Sequence, residues 1–384
     1  NLVFLLDVSG SMRSAKKLPL VKKAMTMLTE KLNSKDRVAI VVYAGAAGLV
    51  LDSTSATDET AIKNALNKLQ AGGSTNGGQG LELAYKTAVA NKIKGGINRV
   101  ILCTDGDFNI GNTSRSGLVG LVKKQTRNGV YLTVLGFGMG NYKDSMMEEI
   151  SNKGNGTAAY IDSEAEAKKV LVKEINSTLM TIAKDVKIQV EFNPAKVAAY
   201  RLIGYENRML KKEDFNDDKK DAGEIGAGHT VTALYELVPA GMDIPTPGVD
   251  KLKYQSTATA KDVVAAVAKA SNATLTPAKA SNETLTLKLR YKQPEGTVST
   301  KIEIPVTDGK KTMSTVSPDF QFATAVAAFG MILRDSKFSG TYTLAAAEEL
   351  AAGSKGPDAN GYRAEFVKLV QAAKKLKPAA TAAK

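Results

Sequence analysis

Five apolar residues, Leu2 to Leu6, run without interruption into Asp7. A strand buried on both faces has this composition, and such strands belong to parallel sheets covered by helices on either side. The run stops on a carboxylate, and Ser9, Gly10 and Ser11 follow, too polar and too flexible to prolong it. Open α/β sheets bind their ligands beyond the carboxyl ends of strands, near the point where strand order reverses. Asp7, Ser9 and Ser11 are hard oxygen donors, a set suited to Mg²⁺, Ca²⁺ or Mn²⁺ and poorly suited to zinc or copper. The other half of such a site must come from elsewhere in the chain.

The next segments alternate helix and strand. Leu18, Val21, Met25, Leu28 and Leu32 recur at helical spacing within Lys17–Leu32. Asp36–Tyr43 is a second buried strand, Leu49–Leu51 a short third, and Thr57 is placed to cap a helix running to about Leu69. Arg99–Asp105 is a further buried strand that ends on a carboxylate. Strands at Val130–Phe137 and Ala158–Ile161 complete a set of six, with helices at about Leu81–Asn91, Ser116–Arg127, Asp144–Asn152 and Glu164–Thr181. This alternation predicts a doubly wound, mainly parallel six-stranded sheet over residues 1–181, with the short third strand as an antiparallel edge.

From residue 182 the period changes to two. Asp185–Phe192, Val197–Ile203, Thr230–Val238, Thr284–Tyr291 and Thr300–Val306 alternate as antiparallel strands do, which predicts a β-sandwich over 182–312. Lys211–Asp221 is a charged loop, and the Ala/Thr/Lys-rich stretch 240–283 is expected to hold a short helix at Asp262–Ala270. Ser271–Thr276 and Ser281–Thr286 repeat one motif, read as a local duplication. Residues 313–384 return to helical period, at Phe320–Leu333, Tyr342–Ala351 and Tyr362–Leu376.

Composition removes several function classes. The 384 residues are 43% hydrophobic, and no stretch approaches the roughly 18 consecutive apolar residues of a membrane helix. The net charge of +13 is spread over both halves, without a basic arm or aromatic interleaving, so no nucleic-acid partner is expected. One cysteine, Cys103, in an apolar run, excludes a disulfide framework and thiolate metal sites. One histidine, His229, in a strand-like stretch, argues against imidazole triads. The chain opens inside a strand without an initiator Met and is expected to be a fragment. Its location, cell envelope, secreted or cytoplasmic, stays open.

Two further loops carry the missing oxygens. Gly72-Gly-Ser-Thr75 precedes a helix, with Gly77, Gly78 and Gly80 allowing close approach, and Asp105 closes the fourth strand beside the first. Asp-x-Ser-x-Ser, Gly-Gly-x-Thr and Thr-Asp-Gly in this order resemble the metal-ion-dependent adhesion site of von Willebrand factor type A domains, over about residues 1–180. By that resemblance Ser9, Ser11 and Thr75 would bind a cation through hydroxyls, and Asp7 and Asp105 directly or through water. Asp107 and Asn109 are candidates for its rim. Lys187–Pro194, Tyr200–Arg208, Asp214–Asp218 and Gly226–Tyr235 resemble a bacterial group that joins the A domain to an uncharacterised C-terminal region.

A site of two carboxylates and three neutral hydroxyls leaves Mg²⁺ electron-poor and open to another carboxylate. The resemblance therefore implies a binding module, not an enzyme, whose partner is a protein presenting Asp or Glu. The alternative is a Mg²⁺-dependent, phosphatase-like hydrolase with Asp7 as nucleophile, which needs a base or a phosphate-directed lysine. Gly72–Gly80 lacks the Lys of a phosphate loop, and Gly136–Gly140 lacks dinucleotide spacing.

Overall fold

The computed structural model describes residues 1–106, 114–138, 144–205, 209–242 and 282–376. Six strands, β1 (Leu2–Asp7), β2 (Arg37–Tyr43), β3 (Ala47–Ser55), β4 (Arg99–Thr104), β5 (Tyr131–Phe137) and β6 (Ala158–Ile161), form one sheet of order β3-β2-β1-β4-β5-β6. All neighbours are parallel except β2 and β3, so the third strand is the expected antiparallel edge. It is longer than its apolar centre indicates, because half-buried Ala47 and Gly48 at one end and Thr54 and Ser55 at the other also pair with β2.

The alternation of β1 explains why it cannot slip. Leu2, Phe4 and Leu6 enter one core with Val21, Met25 and Leu28 of α1 (Leu18–Thr29) and Ile62 and Leu66 of α2 (Glu59–Lys68). Val3 and Leu5 enter the other, with Leu81, Ala84 and Tyr85 of α3 (Gly77–Ala90), Leu118 and Val122 of α4 (Arg115–Arg127), and Met147 and Ile150 of α5 (Asp144–Lys153). Each such side chain contributes about 1.5–3 kcal/mol on burial, and a one-residue shift would forfeit both sets. The chain leaves β1 toward β2 and β3, then crosses to β4 on the other side. Strand order therefore reverses between β1 and β4, the strands that deliver Asp7 and Asp105.

Several local expectations need correction. Asp58, not Thr57, caps α2: its Oδ1 accepts the Ala61 N–H at 3.0 Å, while the Thr57 hydroxyl lies 2.8 Å from that of Ser55. The third helix begins at Gly77 and not at Leu81, with Gly77, Gly78 and Gly80 buried inside it. A Cβ on Gly80 would lie 2.7 Å from the Tyr43 Cβ, so the bare backbone is what presses α3 onto β2. Residues 164–181 are not one helix. They form α6 (Glu164–Lys168), a π-helical turn (Lys169–Lys173) and α7 (Ile175–Leu179). Cys103 is fully buried, and burial pushes its thiol pKa up, as an inert core residue requires.

The remaining strands are β7 (Thr181–Phe192), β8 (Val197–Ile203), β9 (Gly223–Gly226), β10 (Leu234–Pro239), β11 (Glu283–Lys292) and β12 (Thr300–Thr307). They make a four-stranded sheet, β12-β11-β7-β9, and an antiparallel pair, β8 with β10. His229 lies in an exposed loop between β9 and β10, outside the strand expected for it. Three helices, Pro318–Leu333, Leu344–Gly353 and Tyr362–Leu376, bury Phe329, Leu344 and Val370 together, with Phe366 edge-on to Phe329 at 5.4 Å. The helix expected at Asp262–Ala270 and the motif copy at Ser271–Thr276 lie outside the described residues, whereas the second copy leads from Asn282 into β11. Among the described residues no helix is long and apolar enough to cross a membrane.

Two compact units result: residues 1–188 with 212–230 and 289–302, and residues 189–211 and 231–288 with 303–384. Buried lysines account for the insertions into the first. The Lys292 ammonium donates to Asp185 Oδ2 and to the Asp218 carbonyl, both at 2.6 Å, and the Lys187 ammonium to the Asp214 carbonyl at 3.1 Å. Asp218 also accepts the Ser299 hydroxyl, which holds its carboxyl down at about 2.

Two glycine substitutions should move stability in opposite directions. Gly80→Ala is expected to cost about 1–3 kcal/mol by overpacking against Tyr43. Gly120→Ala, at an exposed position of α4 with open space around it, is expected to gain about 0.5–1 kcal/mol from reduced backbone entropy. Urea unfolding of both variants measures the contrast.

Candidate metal centre

Asp7 is the last residue of β1 and stands in register with Tyr43, the last residue of β2. It is wholly buried. Its Oδ1 accepts the backbone N–H of Ser9 at 2.8 Å and its Oδ2 the hydroxyl of Tyr43 at 3.1 Å. Burial of Tyr43, reinforced by the charge of Asp7, holds the phenol well above its ordinary range, so it stays a donor.

Beyond Asp7 the chain turns through a short 3-10 helix, Gly10–Arg13, anchored by the fully buried Met12. The turn sets the Ser9 and Ser11 hydroxyls 3.1 Å apart, Ser9 buried and Ser11 exposed. The donors thus step from the sheet interior to solvent. Thr75 stands half-buried ahead of α3, and no hydrogen bond joins it to the other four residues. Its loop is nonetheless tied to theirs: Gly10 N–H donates to the Gly73 carbonyl at 3.0 Å and Gly72 N–H to the Val8 carbonyl at 2.8 Å. A Cβ on Gly10 would sit 3.5 Å from that Gly73 oxygen, so the two loops meet backbone to backbone.

Asp105 follows β4 and is also buried. Its Oδ2 accepts the ammonium of Lys17 at 2.8 Å, an ion pair whose lysine side chain retains 20% exposure. Asp7 is pushed up to about 6 from an ordinary 3.8. Desolvation is the main cause, opposed by hydrogen bonds from Ser9 and Tyr43 and assisted by the charge of Asp105. Two carboxylates therefore share a poorly hydrated corner at the switch point, a place that favours additional positive charge. The donor set of two carboxylates and adjoining hydroxyls is all oxygen and fits a hard divalent cation.

Lys17 and Tyr43 escape sequence reasoning for different reasons. Tyr43 reads as a strand-end aromatic, although as the terminal residue of the neighbouring strand its register aims it at Asp7. Lys17 is one of a Lys16-Lys17 pair at a helix start, and nothing in the sequence distinguishes it. Asp107 and Asn109 lie outside the described residues.

With this geometry in view the relatives are informative. Residues 1–193 match the family model of the von Willebrand factor type A domain, and the chain belongs to that family. Residues 177–376 match the model described as "Uncharacterized protein YfbK, C-terminal", which places the chain among family members that carry this second region. "Uncharacterized protein YfbK" of Escherichia coli (strain K12) is 43% identical over 373 residues, covering 97% of this chain and 61% of that protein. The chain thus spans less than two thirds of that relative. Mouse (Mus musculus) inter alpha-trypsin inhibitor, heavy chain 4, is 27% identical over 174 residues, 43% of this chain and 18% of the relative. Among solved structures, von Willebrand factor type A from Catenulispora acidiphila superposes with a TM-score of 0.50 at 16% identity, covering 98% of this chain and 83% of that one, a likeness of fold.

The raised pKa gives a prediction with a definite sign. The folded state binds the Asp7 proton more tightly than the unfolded chain, so ionised Asp7 weakens folding above pH 6 and ceases to do so as pH falls toward 3.8. In EDTA, Asp7→Asn is expected to be more stable than wild type by about 3 kcal/mol at pH 7.5. The gap should close by about pH 4. Denaturant unfolding at both pH values measures it.

Proposed function

We propose that this chain is a divalent-cation-dependent protein-binding module. Asp7, Ser9, Ser11, Thr75 and Asp105 would hold Mg²⁺, or Ca²⁺ or Mn²⁺ in its place. The bound cation supplies an electron-poor coordination position open to an Asp or Glu carboxylate of a protein partner. The observation that carries this reading is the buried pair Asp7 and Asp105 at the strand-order switch point, with hydroxyls leading from it to solvent. Asp7 contributes charge at depth, Ser9 and Ser11 contribute neutral oxygens, and the backbone bonds of Gly72 and Gly73 keep the Thr75 loop beside them.

The hydrolase alternative finds one feature that the sequence did not offer, a lysine at the site. Yet Asp7 lies wholly buried, and its two oxygens already accept hydrogen bonds from Ser9 and Tyr43. In-line attack needs a whole phosphoester to reach the nucleophile, whereas a small cation can be held by a buried carboxylate directly or through water. Binding accounts for the arrangement better than turnover does.

The test is capture from bacterial envelope and lysate fractions in Mg²⁺ and in EDTA, with wild type and Asp7→Ala. Partner capture is expected in Mg²⁺ with wild type and at background in the other three combinations. Capture that persists in EDTA or with Asp7→Ala overturns the mechanism. Mg²⁺-dependent turnover of a phosphoester panel, lost in Asp7→Asn, would instead establish the hydrolase.

A further inference from the structure

Lys17 has no part in the five-residue donor set, yet its ammonium lies 2.8 Å from Asp105 Oδ2. Its backbone is fixed at the start of α1, where its carbonyl accepts the Val21 N–H at 2.8 Å. The side chain then crosses Gly138, just beyond β5. A Cβ on Gly138 would lie 2.7 Å from the Lys17 Cε and 2.8 Å from its Cγ, and that glycine holds a φ of +93° which ordinary side chains disfavour. Two elements distant in sequence are therefore shaped to let this stem reach Asp105, one by anchoring the lysine and the other by lacking a side chain.

The contact answers an electrostatic need. Asp7 and Asp105 repel one another in a desolvated corner, and the ammonium neutralises one of them. Once a dication is held by the same carboxylates, a fixed ammonium on Asp105 would repel it and occupy one of its donor oxygens. The lysine side chain is 20% exposed, so it can leave toward water without opening the core.

We infer that Lys17 is a resident counter-cation that competes with the divalent ion for Asp105, setting the ion concentration at which the site becomes competent to bind. This rests on the cation-site reading above. Without bound metal the Lys17–Asp105 pair holds the carboxylates together; with it, the lysine is displaced to solvent. The lysine thus determines affinity without being a ligand.

The experiment is Mn²⁺ binding, read from the EPR signal of free Mn²⁺ at low ionic strength, for wild type, Lys17→Met, Lys16→Met and Asp7→Ala. Lys17→Met keeps the aliphatic stem and removes the charge; Lys16→Met removes the same charge from the exposed neighbouring position. Lys17→Met is expected to bind Mn²⁺ at least tenfold more tightly than wild type, with Lys16→Met within twofold. In EDTA, Lys17→Met is expected to melt below wild type. Unchanged or weaker Mn²⁺ binding by Lys17→Met, with Asp7→Ala binding lost, overturns the competition and leaves the cation site standing. Equal gains in Lys17→Met and Lys16→Met also overturn it, as an effect of net charge. If wild type and Lys17→Met bind no more Mn²⁺ than Asp7→Ala, the cation-site reading itself falls.

Discussion

A carboxylate at the end of a strand that is apolar on both faces sets the terms for the rest of the molecule. β1 can be buried on both sides only because Leu2 to Leu6 supply five side chains to two cores, and that burial carries Asp7 into a place with little water. An ionised group there must be compensated. The Ser9 N–H and the Tyr43 hydroxyl give part of the compensation, and the raised proton affinity of Asp7 measures what they leave undone. Asp105 increases the deficit and Lys17 relieves its own side of it. The strained charge balance and the proposed binding function have the same origin: a corner that is short of positive charge attracts a cation.

Much of this was legible in the chain. The double-wound sheet follows from strands alternating with amphipathic helices, and the gathering of Asp7, Ser9, Ser11 and Asp105 follows from parallel strands that end on oxygen donors. What stayed hidden has physical causes. Gly77, Gly78 and Gly80 look like a loop by propensity, but tight packing on β2 favours bare backbone in a helix and overrides it. Asp58 outcompetes Thr57 as a cap, a choice between two competent neighbours. The recruitment of 212–230 and 289–302 to the first unit depends on Lys187 and Lys292 turning inward to backbone carbonyls and Asp185. In an alternating strand, a lysine is indistinguishable from one facing water.

Family membership and geometry divide the work. The family supplies the expectation of a cation at the sheet's carboxyl end, and the geometry supplies what family membership does not, the depth of each donor and the company it keeps. Asp7 is enclosed by two hydrogen bonds that compensate its charge only in part. The C-terminal region has its own core in Phe329, Leu344 and Val370, and aromatic contacts of Phe192 with Tyr200 and Tyr235 at 4.3 and 5.4 Å.

The two main-chain bonds between Val8–Gly10 and Gly72–Gly73 have a consequence for how such a site can diverge. Because peptide groups and not side chains join the loops, Ser74 and Asn76 are released from any duty in holding them together. Mutation can rewrite those positions, altering which surface a partner meets, while the cradle keeps its shape. A lineage could therefore change whom it recognises and retain the means of recognition.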